Sequence, residues 1–146
     1  MNRTIAGIAM PDSAMARGAT ERIRATESAL MFHHAQRAFL FGALTGYREN
    51  LVFDIELLYV GAMFHNVGLN SVHRGSSCRY EVDSANAARD FMREHKAAAS
   101  AIDEVWLAVA LHTTPGIPEH LAPLVALLAA GVQMDVRGAR YDEYAV

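Results

Sequence analysis

Leu57-Leu58-Tyr59-Val60-Gly61-Ala62-Met63-Phe64-His65 is the stretch whose reading decides the fold. Asp54 stands ahead of it as a helix start and Gly68 behind it as a helix stop, so the spacing predicts a strongly apolar helix from Asp54 to about Asn66. Working outward, apolar residues recur at helical intervals on both sides. Upstream, helices are expected from Asp12 or Ser13 to Thr26 and from Ser28 to Tyr47, with His33 and His34 near the start of the second. Downstream, Asn70 to Tyr80 reads as a loop, and Asp83 or Ser84 caps a helix to about Glu94. Ser100 caps the next, placing Asp103 and Glu104 in a first turn where the helix dipole favours acids. Thr113-Thr114-Pro115-Gly116-Ile117-Pro118 stops it, and a last helix follows from about Glu119 to Val136, with Gly138 just beyond. No alternation of strand and helix is present. The expected fold is all-α, a compact bundle of about six helices in one domain over residues 1–146.

The bulk composition sets the limits. A chain of 146 residues, 52% hydrophobic and 20% charged, can bury a core and is no disordered tail. Net charge is −3, Lys96 is the only lysine, and the arginines are scattered, so no basic stripe for nucleic acid is expected. Cys78 is alone, which excludes an intrachain disulfide and a cysteine-based zinc site and suits a reducing, cytoplasmic home. The apolar run Ile5–Met10 is shorter than a signal core, and no run nears the ~20 apolar residues of a membrane span. Residues 1–12 are expected to form a strand-like or loose arm.

The informative residues are polar groups set into apolar helices. His65 closes the quoted run. His112 ends Val105-Trp106-Leu107-Ala108-Val109-Ala110-Leu111, Asp135 follows the apolar segment Leu124 to Met134, and His34 starts the face carried on by Ala38 and Phe41. A buried aspartate needs a partner or a metal ion, so these residues are expected to converge on a divalent cation. Each has a small residue one turn away: Ala38, Gly61, Ala108 and Gly131. Such residues are expected to leave room for an ion, a water or a small substrate. His33 sits about 100° around the helix from His34 and is expected beside the site rather than in it. Met31, Phe64, Trp106 and Leu111 are candidate apolar pocket lining.

His34, His65-Asn66 and Asp135 are set out as in the HD superfamily of helical metal-dependent hydrolases. The chain resembles most its cyanamide hydratase-like branch, through Phe32-His33-His34-Ala35-Gln36-Arg37, Met63-Phe64-His65-Asn66-Val67-Gly68-Leu69, Tyr80-Glu81-Val82-Asp83, Ala110-Leu111-His112-Thr113-Thr114-Pro115-Gly116-Ile117 and Gly131-Val132-Gln133-Met134-Asp135. The resemblance runs from about Leu30 to Gly138. It implies a metal held by His34, His65, the residue at 66 and Asp135, with the residue at 66 and His112 catalytic. Arg37, Phe64, Trp106 and His33 are the candidate substrate-pocket residues. Zinc and iron suit that ligand set equally.

Position 66 departs from the pattern, with Asn66 where the family has aspartate. A neutral amide oxygen replaces an anionic ligand, so the site holds a dication less tightly and water activation suffers. An engineered exchange made to trap a ligand is the leading reading, and natural loss of activity is its rival. The function expected from the resemblance is a metal-dependent hydratase or hydrolase adding water to a small neutral nitrile- or amide-like molecule, with His112 protonating the nitrogen. Alternatives are a phosphohydrolase using Arg37, Arg74 and Arg79, a di-iron oxygenase, and a non-catalytic binding domain. The apolar-rich helical surface is compatible with a homodimer.

Overall fold

The computed structural model describes residues 4–137. Three helix starts are written directly in the sequence. Helix α1 (Ala14–Thr26) is capped by Ser13, whose hydroxyl accepts from the Ala16 N–H at 3.0 Å, and α2 (Ala29–Arg48) by Ser28, accepting from Met31 N–H at 3.2 Å. Helix α3 (Ile55–Phe64) is capped by Asp54, which accepts from Glu56 and Leu57 N–H. Every residue of α3 from Leu57 to Phe64 is buried, so α3 is the axis around which α1, α2, α5 and the rest pack.

The remaining helices are α4 (Tyr80–Glu94), α5 (Ala99–Ala110) and α6 (Pro123–Arg137). Their starts differ from the expected ones. Helix α4 begins at Tyr80, so Ser84 lies inside it, and its hydroxyl accepts from the Gly68 N–H at 2.8 Å instead of capping. Gly68 itself does not end a helix with a left-handed turn. It lies in a 3-10 turn, Val67–Leu69, where a Cβ would stand 2.2 Å from the Tyr80 carbonyl oxygen. Helix α5 starts at Ala99, one residue ahead of Ser100, and Asp103 and Glu104 fall beyond its first turn. Glu119 belongs to a separate 3-10 turn, Pro118–His120, and α6 opens on Pro123, a residue suited to the first helical position. Gly138 lies outside the described residues.

The arm, expected to be strand-like or loose, is strand-like where it is described. Strands β1 (Thr4–Ile5) and β2 (Ile8–Ala9) pair antiparallel, joined through Ala6 and Gly7 at positive φ, and Ile8 and Met10 are buried in the core. Burying those two side chains ties the hairpin down. Among the described residues no helix is long and apolar enough to cross a membrane.

Helices α2 and α6 share the most extensive contact of the bundle, and its cause is side chains that are missing. A Cβ on Gly131 would lie 2.1 Å from the Ala38 carbonyl oxygen, and one on Gly42 would lie 2.8 Å from that of Leu127. Ala38, Gly42 and Gly131 thus allow backbone-to-backbone contact. This corrects the expectation that Ala38 and Gly131 leave room for an ion. They close space, and by doing so bring His34, one turn before Ala38, against Asp135, one turn after Gly131. Ala108 is likewise fully packed, and a Cβ on Gly61 would meet Leu128 at 3.4 Å.

Candidate metal centre

Two histidines are held by the same local device. His65 follows the last residue of α3 and is fully buried; its Nδ1 donates to the Ala62 carbonyl at 2.6 Å. His112 follows the end of α5, also buried, and its Nδ1 donates to the Val109 carbonyl at 2.5 Å. Each ring folds back on the carbonyl three residues earlier, in the last turn of its helix. The two rings meet edge-on, 5.0 Å between centroids. His34 reaches the pair from α2, its Nε2 3.0 Å from His65 Nε2. On its other side, His34 Nδ1 bonds the Asp135 carboxylate. Asp135 also takes a forked bond from Arg37, Nε at 2.5 Å and a terminal nitrogen at 3.2 Å.

Electrostatics assign the protons. Burial, reinforced by the neighbouring His112, pushes His65 down to about 3, and burial pushes His112 down as well. Both are neutral at pH 7, with the proton on Nδ1 and a lone pair on Nε2. Burial opposes ionisation of Asp135, but hydrogen bonds from Arg37 and His34 outweigh it and hold the carboxyl below its usual range. His34 bridges the Asp135 carboxylate and the His65 ring. The result is a continuous line, Arg37 to Asp135 to His34 to His65, with His112 packed at its end.

The line opens on a cavity of about 270 Å³ walled by His34, Asn66, Leu69, Tyr80, His112, Thr113, Pro115, Val132, Gln133 and Val136. None of these is a lysine or an arginine. The residues expected around a substrate are placed elsewhere. Phe64 packs on Phe91 at 4.9 Å and faces a different cavity, with Ile23 and Val67. Trp106 donates its indole N–H to Asn86 at 2.9 Å, His33 is exposed beside Phe32, and Arg37 is spent on Asp135. Apolar character alone did not separate cavity wall from core.

Sequence reasoning missed Tyr80, Gln133, Thr113 and, above all, Glu81. Glu81 is 3% exposed, chelated by Arg79 at 2.8 and 3.3 Å, and it accepts the Thr113 hydroxyl proton. An acid in the first turn of a helix ordinarily faces solvent, so the pattern held no signal for its burial.

A dication finds partial support in these donors. His34 and His65 bring ring nitrogens together, each anchored through the opposite nitrogen as imidazole ligands usually are, and Asn66 adds an amide oxygen at the cavity. Asp135, expected as a ligand, faces His34 Nδ1 and Arg37 instead. Among the described residues no three His, Cys, Asp or Glu side chains are grouped to hold a metal ion by themselves. No family model matches the chain, and no curated protein matches it significantly.

Proposed function

We propose that the protein is a divalent-metal hydratase or hydrolase, using zinc or iron, that adds water to a small neutral nitrile- or amide-like molecule. The observation that carries this reading is the paired ring nitrogens of His34 and His65 beside a cavity with no cationic side chain in its wall. His34 and His65 would hold the ion, with Asn66 beside them and Asp135 fixing His34 from behind. When bound, the ion would supply the acidity that makes hydroxide available near neutral pH.

The rest falls to the chain's own residues. His112 presents an unprotonated Nε2, so it takes a proton from water first and can return it to the substrate nitrogen afterwards. That order reverses the role of immediate donor expected for it. Tyr80, Thr113 and Gln133 offer polar contacts to an uncharged ligand. A phosphate ester is poorly served: Arg37 is paired with Asp135, Arg79 with Glu81, and the exposed Arg74 does not line the cavity. In this reading the protein works in the cytoplasm, where the exposed Cys78 stays reduced, without nucleic acid.

A second reading, a non-catalytic binding domain, is favoured by Asn66, which withholds an anionic ligand. Elemental analysis and a panel of small nitriles, amides and phosphate esters, run on this chain and on Asn66→Asp, separate the two. Metal together with nitrile or amide turnover in the Asp form supports the enzyme. Absence of both leaves the binder.

A further inference from the structure

Glu81 is a buried carboxylate that the proposed chemistry does not use, and burying a charge costs several kcal/mol unless the charge is matched. Its two partners divide the work. Arg79, largely exposed, neutralises it from the solvent side. Thr113, on the turn that follows α5, donates its hydroxyl hydrogen to it from the cavity side. A threonine hydroxyl has one hydrogen and two lone pairs. With the hydrogen committed to Glu81, the oxygen has only lone pairs left for anything else, and Thr113 stands in the cavity wall next to His112.

We propose that Thr113, locked by Glu81, is a specificity residue that acts only as a hydrogen-bond acceptor and selects ligands presenting an N–H or O–H donor. This rests on the reading of that cavity as the substrate site. It narrows the class from any small nitrile or carbonyl compound to those with a donor beside the reacting carbon, such as primary amides. The donor requirement follows from that commitment: only a ligand donor can add a hydrogen bond to the half-buried Thr113 oxygen, whose hydrogen is already given to Glu81, while a ligand acceptor placed there meets lone pair against lone pair. Glu81 is a positioning residue here, since it touches Thr113 and not the ligand.

The test compares acetamide with acetone, a near-isostere without an N–H, binding to chelator-treated protein by titration of amide and methyl NMR shifts. Working without metal keeps the outcome independent of whether the protein is a metalloenzyme, which metal analysis judges separately. The expected result is roughly fivefold tighter binding of acetamide, the value of one net hydrogen bond. Thr113→Val should equalise the two probes, whereas Thr113→Ser should keep the preference. A Thr113→Val protein that is folded by circular dichroism and still prefers acetamide overturns the proposal. So does a native chain that shows no preference or binds neither probe.

Discussion

The carbonyl oxygen of Ala38 occupies the place where a side chain on Gly131 would begin, 2.1 Å from its Cβ position. Helices α2 and α6 therefore touch through backbone, and the spacing of His34 and Asp135 is set by that contact. Gly131→Ala must push the helices apart. Overpacking of this kind costs roughly 1–3 kcal/mol, so a melting temperature several degrees lower is expected by calorimetry. An unchanged melting temperature would show that the two helices can slide to accommodate a methyl group.

Arg37 grips both carboxylate oxygens of Asp135 and so fixes His34. Arg37→Met is expected to weaken zinc binding by about 10- to 100-fold in a chelator competition, the usual effect of losing a partner behind a ligand. Arg37→Lys should rescue little, because an ammonium cannot reproduce the fork. Full rescue by lysine would mean that only charge matters.

Acid should destabilise the metal-free protein early. His65 is held at about 3 in the fold and His112 is also lowered, while an unfolded histidine titrates near 6.5. Below that pH the unfolded chain binds protons that the folded chain refuses. The stabilisation is complete above about pH 6.5 and is lost progressively as pH falls toward the folded value, by up to about 1.4 kcal/mol per pH unit for each histidine. Urea denaturation at pH 7.5 and 5.5 in the presence of chelator measures it. A flat profile would mean that these rings titrate in the fold as they do in the unfolded chain.

Asn66→Asp places a negative charge at the cavity beside His34. It is expected to raise metal content and tighten zinc binding. Equal metal content in both forms would show that position 66 takes no part in holding the ion.

Much of the fold is legible because its signals are local. Ser13, Ser28 and Asp54 cap as their residue types require, and the apolar run of α3 reports its own burial. His65 and His112 stand out for the same reason, as polar residues ending apolar helices. The small residues near His34 and Asp135 were visible but carried the opposite meaning. A glycine beside a polar group signals close approach, and sequence does not say whether the approaching atom is an ion or a neighbouring backbone. Glu81 and Thr113 were hidden because their pairing joins α4 to the turn after α5, a tertiary contact with no periodic trace. Phe64 and Trp106 show the limit in reverse, since aromatic residues in apolar helices look alike whether they face a cavity or the core.

The backbone contact between α2 and α6 also divides what can change from what cannot. His34 and Asp135 ride on two helices pressed together without intervening side chains, so that half of the site behaves as a fixed jig. Tyr80 and Thr113 belong to other elements, α4 and the turn after α5, which that contact does not constrain. Diversification of this scaffold toward new ligands would therefore run through Tyr80 and Thr113, leaving His34 and Asp135 untouched.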